Sequence, residues 1–220
     1  MTLAALAVAA VFAALGAAAE RLASVWPADE ASRRPLGART ALFAAVTALA
    51  GGAVAQRSTL APWALGVQLL ILAILVLLTA TDLEQRRLPH LLLDPLIVVA
   101  ALFVPFNPTV SPTSALLGAA AAVAFMGTLG LLVRSGVAFG DLLLVAPLGL
   151  ILGWPAVFVA MFVAGILSAV VSFGLLATRR AGLKSYIPFV PFLVAGTVIT
   201  LVRDPDLLGS AAATLGLLRP

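Results

Sequence analysis

Eight apolar runs divide this chain, at residues 2–19, 40–55, 63–81, 90–106, 113–133, 141–153, 155–177 and 187–202. A helix needs about 20 apolar residues to cross a bilayer, or a few fewer inside a bundle, so each run reads as a membrane-spanning helix. The expected fold class is all-α: a polytopic membrane protein, a bundle of about eight transmembrane helices. Composition argues against a soluble alternative. Apolar residues make up 63% of the chain and charged residues only 10%, against roughly 25% charged in ordinary soluble domains. The breaks between runs carry their own signals. Pro62 precedes Trp63, Pro105-Phe106-Asn107-Pro108 follows the fourth run, Pro112 opens the fifth, and Gly153-Trp154-Pro155 separates the sixth from the seventh. Proline suits a first helical turn and stops a helix already under way. The first run has no basic stretch before it and is followed by Glu20-Arg21, so it reads as a retained helix rather than a signal peptide.

Threading eight spans alternately puts Arg21, Arg33, Arg34, Arg39, Arg86, Arg87, Arg134, Arg179, Arg180 and Lys184 on one side. Only Arg57, Arg203 and Arg219 fall on the other. Cytoplasmic loops hold the positive charge, so the richer side is assigned to the cytoplasm and both termini to the opposite face. The formal charge of +4 is then a topology signal, and the expected environment is the lipid bilayer, with no nucleic acid as partner. Residues 1–60 are expected to form two N-terminal spans with a basic cytoplasmic loop, 61–203 a core of six spans, and 204–220 an extracytoplasmic tail. With no Cys, disulfides, thiolate zinc sites and cysteine nucleophiles are excluded, and one His makes a histidine-rich metal site hard to build. No metal is expected.

Ionisable groups at membrane depth are costly and point to function, so the nine acidic residues can be sorted by place. Glu20, Asp29, Glu30, Asp204 and Asp206 fall in the first loop or the tail and read as solvated. Glu84, among Arg86 and Arg87, reads as a surface ion pair or a solvated group. Asp82 closes the run from Trp63 to Ala80, and Asp141 opens the run from Leu142 to Leu152. The threading places both at the cytoplasmic face. Two carboxylates meeting in a partly dry site share one proton. Such a dyad can hydrolyse a peptide, the ionised acid activating water while the protonated one polarises the scissile carbonyl. The competing reading is that each aspartate caps a helix, Asp141 at an N-terminus that favours its charge. Asp94 lies one turn beyond His90, which suits an i,i+4 hydrogen bond or a third catalytic acid. Gly136 and Gly140, like Gly149 and Gly153, have the Gly-x-x-x-Gly spacing of close helix packing. Gly140 would also let a substrate backbone approach Asp141.

Thr81-Asp82-Leu83-Glu84-Gln85-Arg86-Arg87-Leu88-Pro89-His90 resembles the first catalytic segment of bacterial prepilin peptidases, the type IV leader peptidases. Ala138-Phe139-Gly140-Asp141, with the Leu152-Gly153-Trp154 that follows, looks like that family's Gly-x-Gly-Asp segment. Ile187-Pro188-Phe189-Val190-Pro191-Phe192-Leu193 is similar to its closing stretch. The three segments cover roughly residues 70–202 in the family's order. The resemblance implies a GxGD-type intramembrane aspartic endopeptidase with Asp82 and Asp141 as catalytic acids, and with Gly140, Ala138, Pro89 and His90 shaping the site. It implies pilin-like precursors as substrates, cut between a short basic leader and an apolar helix. It also implies the bacterial inner (cytoplasmic) membrane as location. A carboxylate pair needs no cofactor for this reaction, and none is expected. Ala138 replaces the family's first Gly, His90 stands where Asn is common, and Leu143 where Lys often follows the second Asp. Residues 22–39 are too short for the paired-Cys loop of many members, so the N-methylation with S-adenosylmethionine credited to the wider family is not carried over. Two other readings stand beside the peptidase: a proton-coupled transporter with aspartates near the bilayer midplane, and a catalytically inactive assembly partner with the same fold.

Overall fold

The computed structural model describes residues 1–26, 37–132, 139–179 and 187–203. Among these there are eight α-helices, one short 3-10 turn and no strand. The helices are α1 (Leu3–Ala23), α2 (Ala38–Arg57), α3 (Pro62–Gln85), α4 (His90–Phe103), α5 (Pro112–Leu132), α6 (Phe139–Leu152), α7 (Ala156–Ala177) and α8 (Val190–Val202). Every apolar run predicted from the sequence is a helix, and the chain is an all-α, multi-pass membrane protein. Five helices, α1, α2, α3, α5 and α7, are long and apolar enough to cross a membrane, while α4, α6 and α8 are shorter apolar helices.

The helix limits follow from local chemistry. Pro62 opens α3 at a position where its missing N–H is no loss. The helix continues past Ala80 and ends only at Arg86, which takes the left-handed conformation (φ 54°) and donates its N–H to the Asp82 carbonyl. Asp82 therefore lies one turn inside the helix rather than closing it. Pro105 turns the end of α4 into a 3-10 turn over Val104–Phe106. Gly153, at φ +70°, makes the corner between α6 and α7 in a conformation open to glycine. Ser114 fastens that corner to α5, donating its hydroxyl to the Trp154 carbonyl at 2.9 Å.

Helix α3 is the axis of the bundle. More than half of its best membrane window is buried, 56%, against 22–28% for the other long helices. A helix apolar on every side belongs in such a position, and Leu72, Leu75 and Leu78 are fully enclosed there. The α1–α2 hairpin packs along one side of α3, with Thr47 donating to the Phe12 carbonyl at 2.8 Å. Beyond α4, which packs on both α3 and α6, helices α5 and α6 pack tightly on each other. A Cβ built on Gly149 would lie 2.5 Å from the Ala119 backbone, so the two helices touch through main chain. This is the close packing that the Gly149–Gly153 spacing predicts.

The two acids read as solvated or surface-paired are in fact held between helices. Glu20 belongs to the last turn of α1 and accepts a hydrogen bond from Thr40 at 2.9 Å. Glu84 pairs with Arg39 of α2 at 2.7 Å, and Arg39 also lies 3.8 Å from Glu20. Sequence proximity pointed to Arg86 and Arg87, whereas packing supplies a partner 45 residues away, at 84 minus 39. Arg39→Ala is expected to destabilise the protein by about 1 kcal/mol, because the cation is partly hydrated. Thermal unfolding in detergent of this variant, Glu84→Gln and the double variant measures the coupling, and strict additivity would show that the pair contributes nothing. Asp29, Glu30, Arg33, Arg34, Arg134, Gly136, Arg180, Lys184 and the 204–220 tail lie outside the described residues.

Candidate active site

The end of the bundle where α3 and α7 finish is also where α4, α6 and α8 begin, an arrangement forced by alternating helices. Asp82 enters this end from the last turns of α3 and Asp141 from the first turn of α6. Both are buried, at 4% and 6% exposure. Their carboxylates are near enough for each to feel the other's charge, and Arg86 lies within the same range of Asp82. Two acids 59 residues apart (141 minus 82) thus lie near each other, at the same end of the bundle as the alternating threading places them.

The second support for Asp82 comes from a third helix. The backbone N–H of Val190, the first residue of α8, donates to Asp82 Oδ2 at 3.2 Å. Helix N-termini leave N–H groups without intrahelical partners and carry partial positive charge, so the α8 terminus is a natural seat for a carboxylate. Asp82 therefore acts as a cap, but for a helix more than 100 residues further along the chain and not for its own. Pro188 precedes α8 and Pro191 is at its second position. These two rings fix where the helix starts and hence where the Val190 N–H points. Asp141, in the first turn of α6, likewise meets the positive end of its own helix dipole. Two helix N-termini and two carboxylates converge.

Gly140 packs against Leu88, in the link between α3 and α4. A Cβ at Gly140 would lie 2.9 Å from Leu88 Cδ1 and 3.4 Å from its Cβ. Glycine here lets the α6 terminus sit against the α3–α4 link, which brings Asp141 towards Asp82. Gly140→Ala is expected to lower the unfolding temperature in detergent only slightly, because the Cδ1 methyl of Leu88 can rotate away from the new Cβ. Leu88→Ala in the same chain should restore most of that loss. A double variant no better than Gly140→Ala would rule out this steric account.

Pro89 is the N-cap residue of α4 and His90 its first residue. His90 Nδ1 lies 3.1 Å from Asp94 Oδ1, and both side chains are about two-thirds exposed. The pair is thus the i,i+4 contact that the spacing predicts, on the surface of α4. Ala138 lies outside the described residues. Among the described residues no group of three or more His, Asp or Glu is arranged to hold a metal ion. The sequence reading did not foresee Val190 as the hydrogen-bond donor to Asp82. Its only trace was the Pro-x-x-Pro pattern of residues 188–191.

An all-helical membrane bundle with two buried aspartates near each other at one end defines a class, the multi-pass membrane proteins with acidic groups held inside the bundle. Residues 69–173 match the Type IV leader peptidase family. That stretch, just under half of the chain, is similar to the family. The chain is 35% identical over 177 residues to the prepilin leader peptidase/N-methyltransferase of Aeromonas hydrophila, covering 77% of this chain and 60% of that protein. It is 33% identical over 181 residues to the protein of the same name from Burkholderia pseudomallei strain 1026b, covering 77% and 56%. With the Bacillus subtilis protein of that name it shares 27% identity over 140 residues, covering 62% and 55%. The chain thus spans less than two thirds of the length of these relatives. No solved structure matches it.

Proposed function

We propose that this protein is a membrane-embedded aspartic endopeptidase that removes the leader peptide from type IV pilin-like precursors at the cytoplasmic face of a bacterial inner membrane. Asp82 and Asp141 are its catalytic pair. The observation that carries the reading is the meeting of these two buried carboxylates at one end of the bundle, in a chain related to prepilin leader peptidases. One carboxylate, ionised, takes a proton from water held between the two. The other, protonated, donates to the carbonyl oxygen of the scissile bond, so charge does not build on the tetrahedral intermediate. The proton then passes to the departing amine. Buried acids strengthen these transfers because little water competes for their hydrogen bonds. Gly140 shapes the floor beside Asp141, and Pro89 and His90 border the site where α4 begins.

The positions of the acids favour this over a proton-coupled carrier. Asp82 and Asp141 lie in terminal turns of their helices, whereas a carrier places its ionisable groups at mid-membrane. Co-expression with a pilin-like precursor, followed by mobility shift and sequencing of the new amino terminus, tests the proposal. The expected result is a single cut between the basic leader and the apolar helix. An intact precursor beside a well-inserted protein would favour the inactive assembly partner instead.

A further inference from the structure

Asp82 stands where a helix is least secured. It begins the last turn of α3, residues 82–85, and its carbonyl accepts the N–H of Arg86 at 2.9 Å. Terminal turns fray, because their remaining carbonyls have no partner further along the helix. Arg86 itself is at φ 54°, a left-handed conformation that is costly for any residue with a Cβ and persists only where surrounding contacts hold it. A reaction on paired acids, by contrast, needs its carboxylates placed to within about 0.5 Å. The last turn of α3 must therefore be held from outside.

Helices α1 and α2 supply that hold. Gln85 Nε2 donates to the carbonyl of Ala23, the last residue of α1, at 2.8 Å. Helix ends leave such carbonyls without intrahelical partners, and Ala23 is buried, so the side chain of one helix end serves the main chain of another. One residue earlier, Glu84 pairs with Arg39 of α2 at 2.7 Å, and Arg39 lies 3.8 Å from Glu20 of α1. Thr40 donates to the same Glu20 at 2.9 Å. Both glutamates are largely buried, where a charge-assisted bond is stronger than on open surface. Two successive residues of the last turn of α3 are thus tied to the α1–α2 hairpin. The Val190 N–H of α8 holds the Asp82 carboxylate, and the hairpin holds the turn that carries it. Glu20, Ala23, Arg39 and Thr40 all lie outside the matched residues 69–173.

We propose that the α1–α2 hairpin is part of the catalytic apparatus, with Gln85 and Arg39 as positioning residues that fix the last turn of α3 and so set Asp82 beside Asp141. The proposal rests on the leader-peptidase reading and adds to it a task for residues outside the segment that matches the family. Each residue acts through the setting of the α3 terminus. A misplacement of about 1 Å can slow a reaction about 10²-fold, so partial loosening of this turn lowers the rate of the chemical step while substrate affinity stays as it is.

The full chain is reconstituted in vesicles and given a pilin-like precursor with a basic leader over a range of concentrations. Gln85→Met keeps the length of the side chain and removes its donor, and Arg39→Met removes the cation. Each should lower kcat about tenfold and leave KM within about twofold of its starting value. Arg39→Lys, which keeps the charge, should recover most of the loss. Amide exchange of residues 82–86, followed by mass spectrometry without substrate, should quicken about tenfold in both Met variants. Thr47→Val is the comparison, since it breaks the bond to the Phe12 carbonyl inside the hairpin and leaves the ties to α3 in place. It should lower the unfolding temperature without changing kcat or exchange at residues 82–86. Unchanged kcat, an effect confined to KM, no recovery with Arg39→Lys, or exchange at 82–86 that stays slow would overturn the positioning role while sparing the peptidase. Faster exchange in the Met variants of a chain whose unaltered form cuts no precursor would sink the peptidase reading and leave the hairpin's hold on α3 standing.

Discussion

Asp82→Asn and Asp141→Asn are each expected to reduce leader cleavage by roughly 10²–10⁴-fold, the usual worth of a positioned acid or base. Asparagine keeps the shape of the carboxylate and can still accept the Val190 N–H at position 82, so folding is largely preserved. What it removes is the ability to take or hold a proton. In the proposed mechanism the two acids act on one water as a unit, and losses from residues acting as a unit do not add. The double variant should therefore be about as slow as the worse single one. The decisive measurement is the cleavage rate of a co-expressed or reconstituted precursor, alongside membrane yield and thermal unfolding of each variant. Near wild-type turnover in either single variant would eliminate the dyad.

Gly149→Val is expected to damage folding more than any other single exchange discussed. The new Cβ would sit 2.5 Å from Ala119 Cα and N, and 2.7 Å from the Gly118 carbonyl carbon. These are backbone atoms that no rotamer change can move, so α5 and α6 must separate. Overpacking typically costs about 1–3 kcal/mol, and a shift of whole helices belongs at or above the upper figure. Helix association in lipid depends on such close approach, since no hydrophobic force between helices replaces it. Gly165→Val provides the comparison, because nothing lies within 4 Å of a Cβ there. Unfolding temperature in detergent should fall sharply for Gly149→Val and hardly at all for Gly165→Val. Cleavage should fall with it, as α6 carries Asp141. Equal stability of the two variants would contradict the packing described.

Helix placement was readable in the sequence because membrane solvation writes it as runs of hydrocarbon punctuated by proline. The limits moved by only a few residues, and for local reasons: Arg86 ends α3 later than expected, and Pro188 delays α8 until Val190. The same alternation of spans brought Asp82 and Asp141 to one end. Tertiary partners were another matter. Nothing near Glu84 announces Arg39, and nothing near Asp82 announces Val190. Those contacts depend on which helices become neighbours, which apolar runs of similar composition do not encode. The role of Gly140 was half legible: its spacing indicated a close approach, but its partner, Leu88, came from the α3–α4 link rather than from a facing helix.

The brevity of three helices has a further consequence. α4 and α6 have 14 residues each and α8 has 13, which at 1.5 Å per residue gives about 20 Å. The hydrocarbon slab is about 30 Å thick. Wherever one of these helices faces lipid, the bilayer would have to thin to match it, at a modest penalty for each ångström of mismatch.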